Sequence, residues 1–135
     1  MELWEASYVA GIIDGEGSIS LTRMHKNEHR RPCISIASTD KELLIYIQEL
    51  AGGVINNKKN YNPSKHQDSY TLSIKKKEEV FYTLQNIKPF LKVKKKRERA
   101  AWILENYESV TPRNGKYNPE LLIRKNDFEE YFFKI

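Results

Sequence analysis

Cysteine is nearly absent from this sequence: Cys33 stands alone among 135 residues. One thiol excludes an internal disulfide framework and a thiolate zinc site, and it fits a reducing compartment. Long apolar runs are missing as well, which argues against a membrane partner. Met1-Glu2-Leu3-Trp4-Glu5 has neither the basic start nor the apolar stretch of a secretory signal. The expectation is an intracellular protein, of cytoplasm or organelle matrix, that is not secreted. No Gly/Ser/Pro-rich linker and no low-complexity segment interrupts the chain, so residues 1–135 are expected to form one domain around one core. An acidic balance is lacking too. The 23 Lys and Arg against 18 Asp and Glu leave a net charge of +5, which favours a polyanionic partner.

What is present is concentrated in Trp4 to Ile19, Trp-Glu-Ala-Ser-Tyr-Val-Ala-Gly-Ile-Ile-Asp-Gly-Glu-Gly-Ser-Ile. Its first part is a short helix, with Val9 and Ile13 one turn apart and Ala6 and Ala10 beside them. Gly11 and Gly15 are also four apart and make a stripe without side chains on another face. A glycine inside a helix costs roughly 1 kcal/mol relative to alanine. Close approach of a second helix would compensate, as in Gly-xxx-Gly pairs, and the polar Asp14, Glu16 and Ser18 exclude a membrane span. Trp4 and Tyr8, one turn apart, and Ile12 join Gly11 and Gly15 as expected interface residues. Glu16 sits where this helix should stop, at the negative end of the macrodipole. Two helices packed through their glycines would bring two Glu16 side chains together with carbonyl oxygens. That donor set suits a hard divalent cation, Mg²⁺ above all.

The rest of the chain repeats a pattern. Ser18 to Met24 alternates as a half-buried strand with Ile19 and Leu21 inward, and Cys33 to Ser38 alternates again with Ile34 and Ile36 inward. Thr39-Asp40-Lys41-Glu42 is a helix start with a hydroxyl or carboxylate cap, and Gly52-Gly53 ends that helix. Val54 to Lys59 and Ser69 to Lys75 form a second strand pair around the turn-rich Asn60-Tyr61-Asn62-Pro63-Ser64. Glu78 to Asn86 is a third helix, broken at Pro89-Phe90-Leu91. A long helix follows from about Lys92 to Tyr107, then a loop, then a last helix from Pro119 to Phe133. The order helix-strand-strand, twice, then helices, predicts an α+β domain (αββαββα) whose antiparallel sheet offers one face to a ligand. The core is expected over about residues 4–107, with a C-terminal helical extension over about 108–135. Only one glycine-striped helix occurs, so the helix pair requires a homodimer, with an isologous interface as the default.

Val9-Ala10-Gly11-Ile12-Ile13-Asp14-Gly15-Glu16-Gly17 resembles the LAGLIDADG motif of homing endonucleases. Ala10, Gly11, Ile13, Asp14 and Gly17 match it by letter; Val9 and Ile12 replace leucine, Gly15 replaces alanine, and Glu16 replaces the metal-binding aspartate. The likeness extends over most of residues 4–107. Ile87-Lys88-Pro89-Phe90-Leu91-Lys92-Val93-Lys94 resembles a recurring family segment in which Lys94 matches the active-site lysine. The resemblance implies a homodimeric site-specific DNA endonuclease of the single-motif type. Such enzymes cut a long, near-palindromic double-stranded target in intron homing and leave short 3′ overhangs. Glu16 is implied as the ligand for Mg²⁺, with Mn²⁺ or Ca²⁺ able to occupy the same site and the Gly15 carbonyl as a second donor. Lys94 is implied as a charge near the scissile phosphate, and Asp40 as the polar group that orders solvent. An intron RNA maturase, with RNA as partner, and a DNA-binding regulator without chemistry are the two rival roles on the same fold.

Some of these residues also have plainer readings. Lys94 lies in a charge run of the kind that usually faces solvent, and Asp40 is a good helix cap. His25, His29 and His66 fall in loops without a ligand pattern, and Asp14 is expected to be structural, bonding backbone or a partner helix. Recognition is expected from the outward sheet face, since a major groove admits a β-ribbon. Alternation puts Ser18, Ser20, Thr22, Met24, Arg31, Cys33, Ser35 and Ala37 on that face. The second strand pair adds Asn56, Lys58, Ser69, Thr71 and Ser73. These side chains are small and polar, which favours contacts through water. Lys59, Lys75, Lys76 and Lys95 are expected to meet phosphates.

Overall fold

The computed structural model describes residues 1–58, 62, 64–65 and 67–135. The chain folds as α1 (Leu3–Glu16), β1 (Gly17–Thr22), β2 (Arg31–Ser38), α2 (Lys41–Ala51), β3 (Val54–Lys58), β4 (Ser69–Ile74), α3 (Lys77–Ile87), α4 (Lys94–Asn106) and α5 (Pro119–Lys134). Short 3-10 turns cover Lys88–Phe90 and Glu108–Val110. This is the expected αββαββα order with two further helices. Lys59, Asn60, Tyr61, Pro63 and His66, which carried part of the loop reading and one phosphate contact, lie outside the described residues.

All strand pairs are antiparallel, in the order β1-β2-β4-β3. Period-two alternation fixes which face each residue takes. Ile19, Ile34 and Ile74 stand in one inward row, and Ile36, Leu72 and Ile55 in another. All but Ile55 are within 1 % of full burial. Val9, Ala10 and Ile13 of α1, Leu44 and Ile47 of α2, and Val80, Leu84 and Ile87 of α3 cover this face. At roughly 1.5–3 kcal/mol for each large side chain buried, these rows set the register against slippage.

Two turns need glycine. At Gly17, where α1 becomes β1, a Cβ would sit 2.9 Å from Ile13 Cα and 3.2 Å from Ser35 O. At Gly53, after α2, φ is +96° and a Cβ would meet Ser73 O at 2.8 Å. The junction between α2 and β3 is therefore pressed against β4.

The C-terminal extension joins the same core. Asn118 caps α5 by accepting the Leu121 N–H at 2.8 Å, and Pro119 takes the first helical position. Phe128 and Phe132 are buried, and the Trp102 indole N–H donates to Phe128 O at 3.1 Å. No helix among the described residues is long and apolar enough to cross a membrane.

Three local expectations are corrected. Asp40 is at the N-cap of α2, yet its carboxylate makes no capping bond. Its ψ of 91° differs from the 167° of Asn118, where the side chain does reach the helix N–H groups. The Asp40 N–H is instead satisfied by Ser38 Oγ at 3.0 Å. Met24 lies beyond the end of β1, so alternation no longer governs it. Cys33 has the outward parity but is 5 % exposed, because Thr22 and Lys75 flank its thiol.

Candidate active site and nucleic-acid interface

Glu16 is the last residue of α1 and is exposed. Four carbonyls at the end of a helix lack intrahelical partners, and their disposition decides what the end can bind. Lys96, from the first turn of α4, donates from Nζ to Ile13 O at 2.8 Å and to Asp14 O at 2.7 Å. The Gly17 N–H also returns to Ile13 O. Among the described residues no side chain donates to the Gly15 carbonyl, which lies beside the Glu16 carboxylate. A lysine at this end also opposes the negative pole of the helix.

The contact is reciprocal. The Asp14 carboxylate accepts the backbone N–H of Lys92 at 2.8 Å and of Val93 at 3.1 Å, just before α4 begins. Charge-assisted bonds of this kind are about twice as strong as neutral ones. Asp14 is thus structural, as expected, with backbone as its partner. The start of α4 is locked to the end of α1, and Lys94 follows this anchor directly. Its side chain is 80 % exposed and its ion-pair partner is Glu98, at 3.9 Å. The lysine in contact with α1 is Lys96, which sequence reasoning left within a solvated charge run. Arg99 completes the docking of α4, donating to Ile19 O at 3.0 Å under the Phe132 ring.

Oxygen donors are the only ones at the α1 end: a carboxylate and a backbone carbonyl. They fit a hard divalent cation rather than a thiophilic one. Among the described residues no group of three His, Cys, Asp or Glu side chains could hold a metal. Asp40 does not touch Glu16. It lines a cleft with Tyr8, Glu42, Leu43 and Tyr46, about 12 Å along α1 from Glu16 at 1.5 Å per residue.

Along α1, Trp4, Tyr8, Gly11 and Gly15 fall on one stripe. Trp4 is 65 % and Tyr8 47 % exposed, and both glycines are exposed. A Cβ at Gly11 or Gly15 would meet nothing within 4 Å, and neither glycine has a positive φ. Ile12 is half-buried beside the stripe.

The outward sheet face forms rows across the strands. Ser18, Ser35, Ser73 and Val54 make one; Ala37, Thr71 and Asn56 the next; Ser69 and Lys58 a third. Towards the other end come Ser20 with Cys33, then Thr22 with Arg31. Arg31, Asn56 and Lys58 are exposed; Ser20, Thr22, Ser35, Ser69, Thr71 and Ser73 are half-buried. Val54, 60 % exposed, adds an apolar contact that the alternation should have placed there. The buried Cys33, its thiol held protonated by burial, drops out of this surface.

Comparison with known proteins agrees with this geometry. The fold superposes on the homing endonuclease I-CvuI in complex with its target, with a TM-score of 0.75 and 17 % identity over 97 % of this chain and 81 % of that one. It superposes on the archaeal intron-encoded homing endonuclease I-Vdi141I complexed with DNA, with a TM-score of 0.65 and 21 % identity over 99 % and 85 %. The LAGLIDADG homing endonuclease I-GzeII gives 0.64 and 18 % identity over 92 % of this chain and 43 % of that one. No curated protein sequence matches significantly. The family model for a LAGLIDADG-like domain matches residues 3–95, well over half of the chain, so this protein belongs to the LAGLIDADG-like domain family and shares its fold with the homing endonucleases above.

Proposed function

We propose that the protein is a site-specific, divalent-metal-dependent DNA endonuclease that acts as a homodimer through α1. One observation carries this reading: the glycine stripe has no use inside a protomer. Gly11 and Gly15 occupy ordinary helical backbone with open space beside them. Each is therefore a helix-weakening residue without compensation, at about 1 kcal/mol for an interior position. A second α1 packed along the stripe of Trp4, Tyr8, Gly11 and Gly15 supplies the missing contact.

In that dimer the two Glu16 carboxylates and the Gly15 carbonyls meet at the seam. A bound Mg²⁺, or Mn²⁺ or Ca²⁺ in its place, supplies activation of water and stabilisation of charge at a phosphate. The chain's own residues do the rest. Glu16 and the Gly15 carbonyl hold the cation, and Lys96 fixes the last turn that carries them. Lys94 faces the scissile phosphate as a mobile charge, and Asp40 orders solvent beside Tyr8. The outward rows of the sheet lie along the major groove of double-stranded DNA. Serine, threonine and asparagine there read bases, partly through water, while the surrounding lysines meet phosphates.

A randomised DNA library incubated with Mg²⁺ tests this. Wild type should cut a small set of related sequences and Glu16→Gln should cut none. Binding without cleavage by wild type would make the protein a regulator, and rescue of intron splicing without cleavage would make it a maturase. Equal cutting by wild type and mutant would refute the assigned chemistry.

A further inference from the structure

At the end of the sheet remote from Glu16 lies a cavity of about 780 Å³. Its walls come from the start of β2, the junction of β4 with α3, and the segment between α4 and α5. Seven lysine or arginine side chains line it, against a single carboxylate, Glu28. Two of these cations are partly neutralised from outside, Arg30 by Glu129 at 3.7 Å and Lys77 by Glu108 at 2.9 Å. Among the described residues, Arg31, Lys75, Lys76 and Arg113 have no ion pair.

Lys125 forms part of the wall and is 1 % exposed. Its Nζ donates to Thr111 Oγ1 at 2.6 Å and lies 4.3 Å from the centre of the Tyr107 ring. An ammonium has three N–H donors, so that bond leaves capacity for an anion. Like charges gathered in a concavity repel one another at low dielectric, and an anionic occupant relieves that repulsion. One residue links the cavity to the outward face. Arg31 belongs to both, since it stands in register with Thr22 at the end of the sheet.

We propose that this cavity binds the sugar–phosphate backbone of the same DNA duplex beyond the reach of the sheet, with the C-terminal extension as its outer wall. The proposal rests on the DNA-binding reading above and gives the extension a role in it. The six residues of β1, at about 3.3 Å each, span roughly 20 Å from the α1 end. A duplex laid along them advances about 3.4 Å per base step, so the phosphates concerned lie roughly six steps outward from the site of cleavage. The chemistry is phosphate recognition by point charges and a guanidinium, which adds affinity without sequence preference.

Two duplexes carrying the selected target test it, one ending at the last base pair under the sheet and one extended by about ten base pairs on each side. Wild type should bind the longer one at least tenfold more tightly. Arg113→Glu, at an exposed loop position, should remove that advantage and bind the short duplex like wild type. Equal binding of both lengths by wild type would overturn the cavity assignment alone. So would saturable binding of inorganic phosphate that Arg113→Glu abolishes, without any effect of duplex length. Failure of wild type to bind either duplex would refute the DNA reading itself.

Discussion

Replacing Gly11 and Gly15 together with alanine separates folding from assembly. Neither new methyl group meets an atom within 4 Å in the protomer, and both positions have helical backbone. Folding of the isolated chain should therefore gain about 1 kcal/mol at Gly11 and less at Gly15, close to the helix end. The dimer should lose, because two methyl groups per chain hold the paired helices apart where backbones must touch. Urea unfolding followed over a range of protein concentrations reads both terms. Wild-type midpoints should rise with concentration, as for any dimer whose folding is linked to association. Midpoints of the double variant should not depend on concentration and should exceed those of wild type in the dilute limit. Sedimentation should give twice 15.9 kDa for wild type and one protomer mass for the variant. A variant that still dimerises with undiminished affinity would refute the assigned seam.

Lys96→Met removes both bonds to the α1 end and should cost about 2–3 kcal/mol of stability in urea. It should lower cleavage roughly 10–100-fold with DNA affinity little changed, and loss of affinity in step with cleavage would argue against a positioning role. Burial lowers the Lys125 ammonium from its ordinary 10.5 to about 8. Between those values the unfolded chain keeps a proton that the folded chain has released, so stability should rise with pH across that window. Lys125→Met should accordingly be about 2 kcal/mol more stable than wild type at pH 7, after allowing for the lost Thr111 bond, and should have no advantage by pH 10.5. A difference in urea stability that is independent of pH would mean that the surrounding rings offset the desolvation. Lys58→Ala should change the selected target sequence; uniform weakening on every sequence would make Lys58 a phosphate contact.

The elements were legible because their signals were local. Ile34 and Ile36 with Ser35 between them read as a strand with one apolar face, and the structure has both isoleucines fully buried. Gly52-Gly53 marked a helix end and Pro119 a helix start through backbone chemistry alone. Residues whose role depends on a distant partner were harder to read. Lys96 looks like its neighbours Lys94 and Lys95 until α1 is brought against it. Lys125 sits in the polar run Arg124-Lys125-Asn126-Asp127 and is buried only because Thr111, Tyr107 and Phe128 surround it. Cys33 had the correct face, but Thr22 and Lys75 flank it, which period-two alternation cannot express. The carboxylate of Asp40 turned away from its helix for a local conformational reason that residue type does not reveal.

The crossed fastening of α1 to α4 also bears on when the centre comes into being. Asp14 and Lys96 grip each other's helices across about 80 residues of intervening chain. Until that long loop closes, the acid at Glu16 and the lysine at Lys94 are strangers on a flexible polymer. On the proposed function, competence to break a phosphodiester arrives with tertiary completion, so a nascent or partly unravelled copy carries the ingredients without the tool.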